Sequence, residues 1–180
     1  GDDALLRTVL AEHERAGFRV LGAEEVMGEL LAPPGAWGRS QPNARHMQDI
    51  VKGGRIAHAI GAFDIAQGVV IADGHVLAVE AAEGTDEMLR RVAALPAALR
   101  GSPEARRGVL VKRPKPIQER RIDLPTIGVR TIEGAAAAGL AGVAIEAGGA
   151  LAVRRSDIVA TADRLGLFVY GFRAEEVDLV

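Results

Sequence analysis

GVLVKRPKPIQERRIDLPTIG, residues 108–128, begins as an apolar strand and continues as a loop stiffened by Pro114, Pro116 and Pro125. Each proline fixes φ and removes a backbone donor, so the segment is expected to be extended or turning and cannot be the interior of a helix. Five cations, Lys112, Arg113, Lys115, Arg120 and Arg121, stand against Glu119 and Asp123 and leave the stretch at +3. The whole chain has a formal charge of −2, so the remainder carries −5. A loop leaving a buried strand is where α/β proteins commonly place chemistry. On charge alone, two readings stay open: a solvated basic loop, or a site that handles phosphate.

Beyond this stretch, the composition favours an α/β fold. Hydrophobic residues make up 48% of the 180, yet aromatics are limited to one Trp, one Tyr and four Phe, so the apolar content comes from Ala, Val, Leu and Ile. This suits a mixed sheet with Ala-rich helices packed on it. The clearest local signal is residues 68–80, GVVIADGHVLAVE, two β-branched runs around Asp73-Gly74, which predict a two-residue β-hairpin. A helix to about residue 99 should follow, capped by Thr85. Downstream, a helix over 131–138 capped by Thr131, strands at 142–146 and 150–153 around Gly148-Gly149, a helix over 156–165 and a strand at 167–171 complete the pattern. The acidic tail, 173–180, is expected to fray. Upstream, Asp2 or Asp3 can cap a leading helix, followed by a strand at 18–21 and a helix over 23–31. A Pro/Gly-rich loop with Trp37, expected to pack on the surface, leads to a helix from Pro42 to about residue 60. Gly53-Gly54 is a candidate interruption of that helix.

Several chemistries are excluded. With no cysteine there are no disulfides, thiolate zinc sites or cysteine nucleophiles, and a reducing, cytosolic setting fits. His13, His46, His58 and His75 share no helical i, i+4 spacing. No apolar run approaches the roughly 20 residues that span a bilayer. No nucleophile elbow, Walker A loop or Rossmann glycine fingerprint is present. What remains is a phosphate-type set: Lys112, Lys115, Arg120 and Arg121 with Asp123, and the carboxylates Glu83 and Asp86 in a strand-to-helix turn, where they could hold Mg2+ or simply complement the helix dipole. Nucleic-acid binding is disfavoured because the chain is acidic overall and no aromatic lies within 108–128 to stack on a base. A non-catalytic phosphate-binding module remains the alternative.

The ordered motifs then point further. Asp64-Ile65-Ala66-Gln67-Gly68, Ala78-Val79-Glu80 leading into Glu83-Gly84-Thr85-Asp86, Val109-Leu110-Val111-Lys112 with Lys115-Pro116 and Gln118, Asp123-Leu124-Pro125-Thr126-Ile127-Gly128, and Gly139-Leu140-Ala141-Gly142 together resemble the LpxI family, the UDP-2,3-diacylglucosamine pyrophosphatases of lipid A biosynthesis. The resemblance implies Mg2+-dependent hydrolysis to UMP and 2,3-diacylglucosamine 1-phosphate (lipid X), in the cytoplasm at the surface of the Gram-negative inner membrane. It implies that residues 31–180 are the C-terminal catalytic α/β domain, with 1–30 a leading helix, strand and linker. A smaller N-terminal domain is expected on sequence not contained here, since the chain starts at Gly1 without an initiator methionine. On this reading Asp123 is catalytic. Lys112, Lys115, Gln118, Arg121, Thr126, Gly148 and Gly149 bind substrate, and Glu83, Asp86 and Asp123 hold the metal. An Ala-rich surface makes a homodimer a further expectation.

Overall fold

Asp73-Gly74 forms the expected turn. Both residues have positive φ, 49° and 78°, as a two-residue hairpin turn requires, and the runs on either side pair antiparallel as β2 (Gly68–Ala72) and β3 (His75–Val79). The pairing shifts between Val70 and Ile71, where Ile71 faces Val76 but Val70 faces Ala78, so Leu77 is the extra residue of a bulge. The computed structural model describes residues 2–26, 28–121 and 123–178. The other elements are α1 (Asp2–Arg15), α2 (Ala23–Val26), β1 (Gly35–Trp37), α3 (Ala44–Gly61), α4 (Gly84–Ala93), α5 (Ala97–Arg100), β4 (Val109–Lys112), β5 (Thr126–Ile127), α6 (Val129–Ala137), β6 (Gly142–Glu146), β7 (Leu151–Ala152), α7 (Arg155–Leu165), β8 (Phe168–Phe172) and α8 (Ala174–Asp178).

The main sheet has the order β1-β8-β6-β4-β2-β3. Its middle strands, β8, β6 and β4, run parallel, and β1, β2 and β3 extend it with antiparallel pairings. Alternation along each strand sorts side chains onto two faces. Val69, Ile71, Val109 and Val111 meet Ile50 and Ala57 of α3, whereas Val70, Leu110, Val143 and Val169 join Met88 of α4, Ile132 of α6 and Ile158 of α7. The result is a three-layer α/β/α sandwich, a mixed sheet with Ala-rich helices as expected. A minor second sheet pairs β5 with β7.

Several local expectations are corrected. Residues 18–21 form no strand; Phe18 and Leu21 are exposed and the run lies beside neither sheet edge, so its backbone gains no ladder. The Trp37 loop instead supplies edge strand β1, with Trp37 buried and its Nε1 donating to the Pro33 carbonyl at 3.0 Å. Helix α3 starts at Ala44 rather than Pro42, because Asn43 caps it, accepting from the His46 amide at 2.9 Å. Gly53-Gly54 does not interrupt it. A Cβ at these positions would lie 2.7 Å from Val111 Cγ2 and 2.8 Å from Val177 Cγ1, so the glycines let the helix approach the sheet and α8. Thr131 sits inside α6, where its Oγ1 accepts from the Gly128 amide at 3.3 Å, and α7 begins before Ser156. Residues 174–178 of the tail form α8, with Val177 fully buried, and residues 179–180 lie outside the described residues. The proposed caps Asp2 and Asp3 have side chains outside the described residues.

Candidate active-site cleft

The carboxyl end of β4, the start of β2 and the end of β3 lie at the same edge of the sheet, because β2 runs antiparallel to both neighbours. Segment 113–125 crosses that edge, and a cleft of about 690 Å³ opens there. This is the end at which open α/β sheets bind ligands, and the size suits a small molecule.

Lys112, Lys115, Asp123 and Thr126 line the cleft, so four of the expected site residues converge. Three cations of the basic stretch, Lys112, Arg113 and Lys115, are buried rather than solvated. Each meets a carboxylate. Lys112 shares the sheet face of Leu110 and reaches towards α4, donating to Thr85 Oγ1 at 2.6 Å. Burial pushes its pKa down, and the carboxylates of Glu80, Asp123 and Asp86 oppose that shift. Thr85 therefore does not cap α4; the cap position is Glu83, whose side chain makes no capping bond. Lys115 Nζ donates to Asp64 Oδ1 at 2.6 Å, which holds the Asp64 carboxyl below its ordinary range. Asp64 itself has a left-handed backbone, φ 58°.

Asp123 is fixed by two amides. Its Oδ2 accepts from Gln67 Nε2 at 3.1 Å and from Gln118 Nε2, while Gln118 Oε1 accepts from the Lys115 backbone N–H at 3.0 Å. Gln118 thus ties the carboxylate to the lysine loop. No hydrogen bond from the described residues reaches Asp123 Oδ1.

The other expected residues lie elsewhere. Arg121 pairs with Glu119 and with Glu14 of α1, and its guanidinium lowers the Glu119 pKa to about 2. Arg120 donates to the Gly148 carbonyl at 2.6 Å, and a Cβ on Gly149 would meet Glu146 Oε1 at 2.5 Å, so Gly148 and Gly149 pack against protein groups outside the cleft lining. Glu83 pairs with Arg91 and Asp86 with Arg130. Of the three carboxylates assigned to a metal, only Asp123 lines the cleft. Among the described residues there is no cluster of three or more His, Asp or Glu side chains suited to a metal ion.

Asp64, Gln67 and Glu80 had no assigned role in the sequence, and Thr85 was assigned only as a helix cap. One available signal was parity: a lysine closing a buried strand, on the face of Leu110, needs an internal counter-charge. Lys112, Arg113 and Lys115 turn inward, whereas Arg120 is exposed and Arg121 half-buried.

The fold and site define a three-layer α/β domain with a charged, ligand-sized cleft at the carboxyl end of its parallel strands. Residues 33–170 match the family model described as the LpxI C-terminal domain, and the chain belongs to that family. It is 59% identical over 176 residues to the UDP-2,3-diacylglucosamine pyrophosphatase LpxI of Caulobacter vibrioides (strain ATCC 19089 / CIP 103742 / CB 15). The match covers 98% of this chain and 63% of that protein, so the chain spans less than two thirds of the length of this curated relative.

Proposed function

We propose that this domain hydrolyses the pyrophosphate bond of UDP-2,3-diacylglucosamine to UMP and 2,3-diacylglucosamine 1-phosphate in lipid A biosynthesis, as the C-terminal part of a larger enzyme. The observation that carries the reading is the convergence of Lys112, Lys115 and Asp123 in one cleft of a chain 59% identical to a protein named for that activity. The oxygen of water joins one phosphorus as the P–O–P bond breaks, and two phosphate monoesters leave. Lys112 and Lys115 neutralise charge on the phosphoryl oxygens. Asp123, anchored through Oδ2, presents Oδ1 to the reacting centre.

Charge supports a role for Mg2+. The cleft is lined by two ammonium groups and the three carboxylates Asp64, Glu80 and Asp123, a sum of −1, which a pyrophosphate would make more negative. Asp123 Oδ1 would hold the ion together with substrate oxygens, in keeping with magnesium's use of one or two carboxylates beside phosphate. When bound, the ion supplies charge neutralisation at the pyrophosphate.

Size supports a second domain. A cleft of about 690 Å³ suits a small ligand, whereas this substrate carries a nucleotide, a sugar and two acyl chains. The remainder of the substrate rests on the N-terminal domain and on the cytoplasmic surface of the inner membrane. Phe63 and Ile65, 78% and 53% exposed, flank Asp64, and Ile65 lines the cleft, which suits peripheral contact with lipid. Among the described residues no helix is long and apolar enough to cross a membrane. A homodimer belongs to the same reading, and sedimentation of the purified chain tests it.

The deciding experiment measures UMP release from the lipid substrate in mixed micelles, with and without Mg2+, by this chain and by the longer polypeptide. Mg2+-dependent release abolished by Asp123→Asn is the expected result. UMP binding without turnover by either protein would replace the enzyme with a phosphate-binding module.

A further inference from the structure

The cleft holds a second polar assembly besides Asp123 and its amides. Lys112 Nζ donates to Thr85 Oγ1 at 2.6 Å, and Thr85 Oγ1 lies 2.6 Å from Glu80 Oε1. An ammonium has only donors and a carboxylate only acceptors. The threonine hydroxyl must therefore accept from the lysine and donate its own proton to the glutamate, which fixes the direction of the chain. Glu80 Oε1 is also 3.8 Å from Nζ, with the two side chains 12% and 7% exposed. The other carboxylate oxygen, Oε2, is buried with no hydrogen-bond partner among the described residues and would stand 2.5 Å from a Cβ at Gly68. A buried oxygen left unpartnered is unfavourable on stability grounds alone, which directs attention to what the glutamate does for its neighbours.

We propose that Glu80, acting through Thr85, is a positioning residue that keeps the Lys112 side chain fixed and cationic for a phosphoryl oxygen of the bound ligand. The identity of that ligand rests on the pyrophosphatase reading above. An ammonium has three protons; Thr85 takes one and Glu80 faces another, so at least one is left for the cleft. A free lysine would sample many rotamers, whereas this one is held before the ligand arrives. The charged groups around it are Glu80 from the end of β3, Asp86 from α4 and Asp123 from the crossing loop. The neighbouring strands β2 and β6 present only Gly68 and Ile145 beside it. Burial disfavours the ammonium, so removing the Glu80 charge should let its pKa fall further.

The test needs no substrate in its first arm. The Lys112 13Cε resonance is titrated in the purified chain, and Glu80→Gln is expected to move its midpoint to lower pH by roughly one unit. Thr85→Val should move it in the same direction and Thr85→Ser should restore it. In the second arm, kcat and KM for the lipid substrate are followed against pH in the longer polypeptide. The alkaline limb of kcat/KM should move acidwards by a matching amount in Glu80→Gln, with KM rising more than kcat falls. Should Glu80→Gln fail to fold, the Thr85→Val and Thr85→Ser pair decides the matter alone. An unmoved Lys112 midpoint in the folded variants overturns the proposal whatever their activity. Shifted midpoints without UMP release from any form would support the positioning role and remove the pyrophosphatase reading.

Discussion

Replacing Arg113 should cost more stability than any single change at the surface. Arg113 projects to the opposite face from Lys112 and joins α8 to β6. Its guanidinium bonds both oxygens of Asp178 at 2.8 Å, and its Nε lies 2.7 Å from Glu146 Oε2, close in charge but without hydrogen-bond alignment. The Arg113, Glu146 and Asp178 side chains are 6%, 12% and 47% exposed. The Asp178 partner is half solvated, so water and salt screen its loss and it contributes at most about 1 kcal/mol. The pairing with Glu146 matters more. Arg113→Met strands a buried carboxylate, and breaking such a pair costs about 3–5 kcal/mol. For a chain of this size that lowers Tm by roughly 6–20 °C. Urea denaturation followed by circular dichroism measures the loss, and amide exchange in α8 reports whether Val177 leaves the surface of α3. In the double variant Arg113→Met/Glu146→Gln no charge is stranded, so it should be more stable than Arg113→Met alone. A loss below about 1 kcal/mol in the single variant, or strict additivity in the cycle, would refute the reasoning. The acid response follows in sign. Arg113 depresses the Asp178 pKa, so this contribution is present above the ordinary carboxylate range and disappears as pH falls through the depressed value. Arg113→Met should erase that acid dependence.

Other changes test the remaining links. Asp123→Asn keeps size and hydrogen bonding, and should leave the melting temperature near wild type while reducing UMP release by about 100-fold or more; undiminished turnover would exclude an essential carboxylate. Gly53→Ala gains about 1 kcal/mol of helix propensity but forces a methyl to within 2.7 Å of Val111, an overpacking cost of about 1–3 kcal/mol, so net destabilisation is expected in urea melts. Phe63→Ser/Ile65→Ser should raise KM for micellar substrate with little effect on folding, and equal partition of both forms onto anionic vesicles would remove the lipid-contact role. Glu119, held to about pKa 2 by Arg121, should remain ionised in a carboxyl NMR titration well below the ordinary glutamate range; its stabilising pair with Arg121 is complete above about pH 4.5 and fades towards pH 2.

Local chemistry carried much of the fold into the sequence. Asp73-Gly74 and the β-branched strands depend on neighbours a few residues apart and form where expected, whereas the helix expected over 23–31 is only Ala23–Val26 with a 3-10 turn at Gly28–Leu30, and the one expected to residue 99 ends at Ala93, ahead of Pro96, with Ala97–Arg100 a separate turn of helix. Failures came where a distant partner decides the outcome. Trp37 becomes a strand residue because β8 offers an edge, residues 18–21 have no such edge, and residues 174–178 of the acidic tail form a helix because Val177 packs against α3 and Asp178 meets Arg113. The site divides in the same way. Lys112, Lys115 and Asp123 lie within eleven residues of one another, from the end of β4 into the loop after it, whereas Asp64, Gln67, Glu80 and Thr85 reach them only through sheet topology. Glu83, Asp86 and Arg121, also expected at the site, do not line the cleft and pair with Arg91, with Arg130, and with Glu14 and Glu119.

The bulge at Leu77 sets which residue arrives beside Gly68. In the observed register the Glu80 amide donates to the Gly68 carbonyl at 2.9 Å. A ladder healed of its bulge would keep Ile71 opposite Val76 but seat Leu77 against Val70 and Val79 against Gly68. An isopropyl group would then occupy the place of the carboxylate, and Lys112 would be buried without its counter-ion. β3 is an edge strand, so its register is set by β2 on one side and by the packing of Leu77 and Ala78 against the core. The attraction between Lys112 and Glu80 therefore favours the bulged register, in which a carboxylate and not an isopropyl group stands beside the lysine.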